Sequence, residues 1–165
     1  MAFTKLMGGV SLSLGTLLSL HAMSLGQVSE KDLLKGPAIT KALPLRVPPD
    51  DDELKKLHSA HFNEALAEVG LRWQHLIEDV ISAEQAIEPA RHLLTAGQQV
   101  YGRPEDQLTF LKDMEELANY IESLTGVRSQ KEQKRLPQLH AARGFRLDVR
   151  VPLLKAKRGA EKREK

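Results

Sequence analysis

The chain has no cysteine among its 165 residues. That absence excludes disulfides, thiolate metal sites, a cysteine nucleophile and a lipid-modified N-terminal cysteine. Aromatic residues are scarce, at 4%, so the core must be built from Leu, Val, Ile and Ala. Such a core suits helix-on-helix packing better than a sheet sandwich. Catalytic patterns are missing too. There is no His-Glu-x-x-His pair and no Gly-x-Ser-x-Gly elbow, and "GQQVYGR" lacks the Lys-Ser/Thr and the preceding strand of a phosphate loop. Glu115 and Glu116 are adjacent, so they diverge around a helix rather than converge on a substrate. The sequence therefore points to a non-enzyme that uses no cofactor. His58 and His61, one helical turn apart with Glu64 following, are weak candidates for a divalent metal. No third ligand is specified, and solvated surface histidines are the plainer reading.

Acidic residues are absent before Glu30, and arginine before Arg46. Lys5 precedes a leucine-rich run from Leu6 to Leu20, and Ser24 and Gly26 stand at the small-residue positions of a cleavage before Gln27. Residues 1–26 thus resemble a secretory signal peptide. Serines, glycines, Thr16 and His21 dilute the run and weaken the alternative of a membrane anchor over 6–26. The missing arginines weaken a mitochondrial transit peptide. The expected location is secreted or periplasmic, with membrane-anchored and mitochondrial as the alternatives.

Charge is present but unevenly placed. Residues 127–165 carry 13 Lys and Arg against 4 Asp and Glu, a net of +9; residues 1–126 carry 11 against 18, a net of −7, and the two sum to the chain's +2. An acidic body thus carries a basic tail that could meet an anionic surface, an acidic partner or the body itself.

The expected fold is mainly α. Residues 27–49 read as a proline-rich extended linker, because Pro37, Pro44, Pro48 and Pro49 forbid a sustained helix. Residues 50–126 read as an antiparallel helical hairpin. Asp50 is the expected N-cap, with Asp51, Asp52 and Glu53 on the positive end of the helix dipole. Phe62, Leu66, Val69, Trp73, Leu76, Val80, Ala83 and Ile87 then repeat at alternating steps of four and three, a coiled-coil-like seam. Gly70 lies inside it at a cost of about 1 kcal/mol relative to Ala. Pro89 should kink this long helix. The glycines of "GQQVYGRPEDQ" mark the reversal. Phe110, Met114, Leu117, Ile121 and Leu124 line the return helix, and Gly126 should end it.

Such a hairpin is unequal. The return helix of about 22 residues spans about 33 Å, roughly half the outgoing helix from Asp50 to Ala96. Phe62, Leu66, Val69 and Trp73 would be left uncovered, as an interface with an unknown protein or in a homodimer.

Residues 127–165 read as a basic, partly disordered tail with one strand-like segment, 145–151. There Phe145, Leu147, Val149 and Val151 alternate with Arg146, Asp148 and Arg150, and Gly144 and Pro152 bracket the run. Such a strand would clasp residues 43–48 or lie on the body. Alternatively it would add to a partner's sheet, Phe145 and Leu147 filling pockets while Arg146 and Arg150 meet acidic groups at the rim. The leading expectation is an exported protein acting by protein–protein interaction. The alternatives are a basic-tailed module binding an anionic membrane or nucleic acid, and a precursor processed at Lys134-Arg135 or Lys155–Arg158. Nucleic acid is the weaker target, since Phe145 alone offers a ring for base stacking.

Overall fold

In a computed structural model, residues 35–162 are described. The expected signal segment 1–26 and part of the linker lie outside them. The described chain is mainly α, with four helices and no strand: α1 (Glu53–Ile77), α2 (Ala83–Val100), α3 (Pro104–Lys131) and α4 (Leu136–Glu161), with short 3-10 turns at Ala38–Lys41 and Gln133–Arg135. They run up, down, up and down. The ring pairs Phe62–Phe110 and Trp73–Tyr120 show that α1 and α3 run in the same sense. Phe62 meets Tyr101 at the far end of α2, so α2 returns along α1. α4 returns along α3, its closest neighbour, and also packs on α2.

The N-cap of α1 is Asp52, not Asp50; its carboxylate accepts the Lys55 N–H at 2.9 Å. Pro48, Pro49 and a turn in which Asp51 N–H donates to the Pro48 carbonyl delay the start by two residues.

The outgoing helix is not continuous. It ends at Ile77, where the Asp79 N–H donates to the Leu76 carbonyl and the Val80 N–H to the His75 carbonyl, with Asp79 at φ +60. These two bonds form the usual left-handed helix stop, with aspartate where glycine is commoner. Val80, expected in the seam, is exposed. Ser82 and Gln85 then open α2 with a reciprocal capping box. The expected kink at Pro89 is not the break point, since α2 extends as one helix from Ala83 to Val100 with Pro89 buried inside it.

This early reversal overturns the length argument. Phe62, Leu66, Val69 and Trp73 are only 3–5% exposed, because α2 lies along α1 from its C-terminal end back to Phe62. α3 closes the other side through rings: Phe62, Tyr101 and Phe110 cluster with centroids 5.1–5.8 Å apart, and Trp73 meets Tyr120 at 6.0 Å. The few aromatics are thus concentrated where these two helices meet. Gly97 admits the Phe110 ring, and any Cβ there would collide with it.

The linker completes the cover. Gly36, at φ +69, passes against the Trp73 indole, and Pro37 and Ile39 are buried. The Thr40 carbonyl oxygen lies 3.1 Å from where a Cβ on Gly70 would stand, a tight contact that glycine avoids inside α1. Further on, the Asn63 amide holds Leu45 by both backbone groups: Oδ1 accepts the Leu45 N–H at 2.7 Å, and Nδ2 donates to the Leu45 carbonyl at 3.0 Å.

Gly126 does not end α3, which continues to Lys131 and sends Arg128 back to α1. The Arg128 guanidinium donates to the Leu76 and Ile77 carbonyls at 2.7 and 3.0 Å and lies 3.1 Å from Asp79. Arg135 grips both Asp79 oxygens at 2.6 and 2.9 Å and also binds Glu132 at 3.1 Å.

The expected strand 145–151 is helical. Ala142, Phe145, Val149 and Leu153 are buried at steps of three and four, the period of a helix. α4 runs without interruption through Gly144, where no close packing requires a glycine, and through Pro152.

Two outcomes test this architecture. The Arg135 hydrogen bonds hold the Asp79 carboxyl below its usual pKa. Its stabilisation is therefore full above the unfolded aspartate value of about 3.9 and is lost as pH falls through the lower folded one. Asp79→Asn, which tolerates the same backbone, should lower Tm at neutral pH by about 3–5 °C, for about 1 kcal/mol after discounting a half-exposed side chain. The deficit should shrink in calorimetry as pH falls from neutral to below the ordinary carboxylate range; a constant deficit would contradict the assignment. Separately, Asn63→Ala should speed hydrogen exchange at the Leu45 amide by about tenfold, the loss of about 1.4 kcal/mol, and unchanged exchange would show that the linker is held by something else.

Candidate functional site

Helical geometry redistributes the residues expected to form an interface. A strand would place Phe145, Leu147, Val149 and Val151 on one face; a helix divides them. Phe145 and Val149 are fully buried in the bundle, whereas Leu147 and Val151 are 57% and 53% exposed. Leu154, at 44%, extends the outward pair, giving an i, i+4, i+7 stripe along the crest of α4.

The arginines divide as well. Arg146 lies 3.0 Å from the partly buried Glu122 carboxylate, and Arg143 binds the same group at 3.4 Å. Both fasten α4 to α3. Asp148 takes the Arg91 guanidinium at 3.0 and 3.1 Å, fastening α4 to α2, and Arg91 reaches Glu88 at 2.8 Å with its remaining nitrogen, Nη1. Arg150 points outward. With Lys155, Lys157, Arg158 and Lys162 it forms a group of exposed cations that have no ion-pair partner among the described residues. At 100° per residue, Arg150 and Lys157 flank the stripe on one side and Lys155 and Lys162 on the other, with Arg158 in line with it. The exposed acids beside them are Glu161 and Asp148, the latter paired with Arg91.

The four α1 residues expected at an interface are brought together, but as core. Among the described residues, His58 and His61 are joined by no third grouped His, Asp or Glu that could complete a metal site. An open recess of about 470 Å³ lies where α2 ends and α3 begins, lined by Gln98, Pro104, Gln107, Pro152, Lys155, Ala156 and Gly159. Lys155 is its one titratable group, so it holds no acid–base pair. Lys134-Arg135, expected as a processing site, lies at a 3-10 turn with Arg135 engaged by Asp79.

Elsewhere, burial raises the pKa of Asp113, and burial with nearby Asp113 and Asp106 raises that of the Tyr101 hydroxyl. Tyr101 belongs to the ring cluster, so its shift reflects packing. The outward stripe went unseen in the sequence because Gly144 and Pro152 suggested a strand. The i, i+4, i+7 spacing of Leu147, Val151 and Leu154 was the signal that could have found it. No protein-family model, no curated protein and no solved structure matches the chain.

Proposed function

We propose that this protein works by docking rather than catalysis, and that it docks through the crest of α4 onto a negatively charged surface. The observation that carries the reading is the coincidence, on one exposed helix face, of the Leu147–Val151–Leu154 stripe with five cations unpaired among the described residues. The α1 face and an added strand supported a protein-binding reading at the sequence level. The first is core and the second is helix, so of the residues that supported that reading only those on the outward side of α4 stay exposed. Residues 1–26, read as an export signal, complete the proposal of a secreted or periplasmic module.

Magnitudes show why both components are needed. Fully burying a Leu or Val side chain is worth about 1.5–3 kcal/mol, so three half-exposed ones leave about 3 kcal/mol unclaimed. That falls short of the cost of association, about 4 kcal/mol or more. Cations near a dense anionic surface add about 1 kcal/mol each at low salt. The sum gives a reversible attachment that weakens as salt screens it. Base stacking has no ring to use on this face, which counts against nucleic acid.

A photo-crosslinking side chain at Val151, compared with one at exposed Glu84 on α2, tests the reading in native cells. Adducts should form at position 151, be nearly absent at 84 and decline when salt is raised before irradiation. Equal yields at both positions would contradict docking by α4.

A further inference from the structure

We infer that the surface α4 meets is an anionic phospholipid bilayer; this rests on the docking reading above. The stripe stands on the convex crest of a bundle helix, with cations to both sides of it. That geometry suits a plane, where aliphatic tips enter the boundary between headgroups and acyl chains while the cations reach phosphates on either side. Protein hot spots centre instead on rigid anchors such as Trp and Tyr, with lysine depleted. This patch holds no aromatic residue, and three of its five cations are lysines. Long flexible cations suit a fluid headgroup layer, which does not require a fixed partner geometry. None of the described helices is long and apolar enough to cross a membrane, so the contact proposed is peripheral. The uneven charge adds orientation: residues 1–126 carry a net −7 and residues 127–165, which include α4, a net +9, so an anionic surface repels the first part and attracts the second.

Cosedimentation of the full-length protein with vesicles is the test, using phosphatidylcholine alone or with about a third phosphatidylserine. Partitioning should be about tenfold or more stronger on the anionic vesicles and should collapse at high salt. Leu147→Ser with Val151→Ser should weaken it about tenfold without changing helix content, since both residues are exposed. Arg150→Glu with Arg158→Glu should weaken it at least as much and flatten the salt dependence. Equal binding by the variants and the parent would overturn the inference, because the vesicles would then be held by another segment. Absence of vesicle binding together with protein adducts at position 151 would overturn the lipid assignment while leaving docking intact, with an acidic protein surface as the occupant. Absence of both would end both readings.

Discussion

Two guanidiniums converge where α1 stops. Arg128 takes the Ile77 carbonyl and shares the Leu76 carbonyl with the Asp79 N–H, and together with Arg135 it surrounds the Asp79 carboxylate. An aspartate in a left-handed conformation is uncommon and costs backbone energy. Here the cost is offset by ion pairs to the end of α3 and to the turn that follows it. One junction therefore ends α1, positions the α1–α2 reversal and ties both helical hairpins together at the same end of the bundle. Moving the reversal would break all three.

The rest of the packing follows from that stop. With the turn at residues 78–82 rather than at 97–103, α2 has the length to cover α1, and the Phe62–Trp73 stripe becomes core. α3 and α4 then form a second hairpin against the first. The gap between the parallel pair α1 and α3 is wide enough to take rings, and five of the six described aromatic residues are used there. The proline-rich linker closes the remaining groove. Its prolines lack N–H donors, and Asn63 serves both backbone groups of Leu45, so an extended segment lies on a helix with few backbone groups left to satisfy.

Helical class and most core positions were legible in the sequence because four-three spacing survives any choice of connection. Topology was not. Leu76, Val80, Ala83 and Ile87 keep the seam spacing across the break, and the stop is carried by Asp79, whose role needs Arg128 and Arg135 from far along the chain. The capping box at Ser82 and Gln85 was a local sign that passed unread beside the stronger expectation of a break at Pro89. In α4 the reverse occurred. Gly144 and Pro152 suggested brackets, yet burial of Phe145, Val149 and Leu153 and ion pairs to Glu122 and Arg91 outweigh those local preferences. The candidate surface inherited the same error, since the choice of period decides which side chains face outward.

What the chain presents outward depends on the α1 stripe being covered by its own fold, and the α4 crest is the outward surface proposed for docking. Trp73 reports on this directly, being the chain's only tryptophan and 5% exposed at one end of that stripe. Its emission and its quenching by acrylamide should be measured from nanomolar to high micromolar protein. The expected result is blue-shifted, poorly quenched emission that does not change with concentration. Emission that is exposed when dilute and becomes protected as concentration rises would show that a second copy covers the stripe, and would contradict the account.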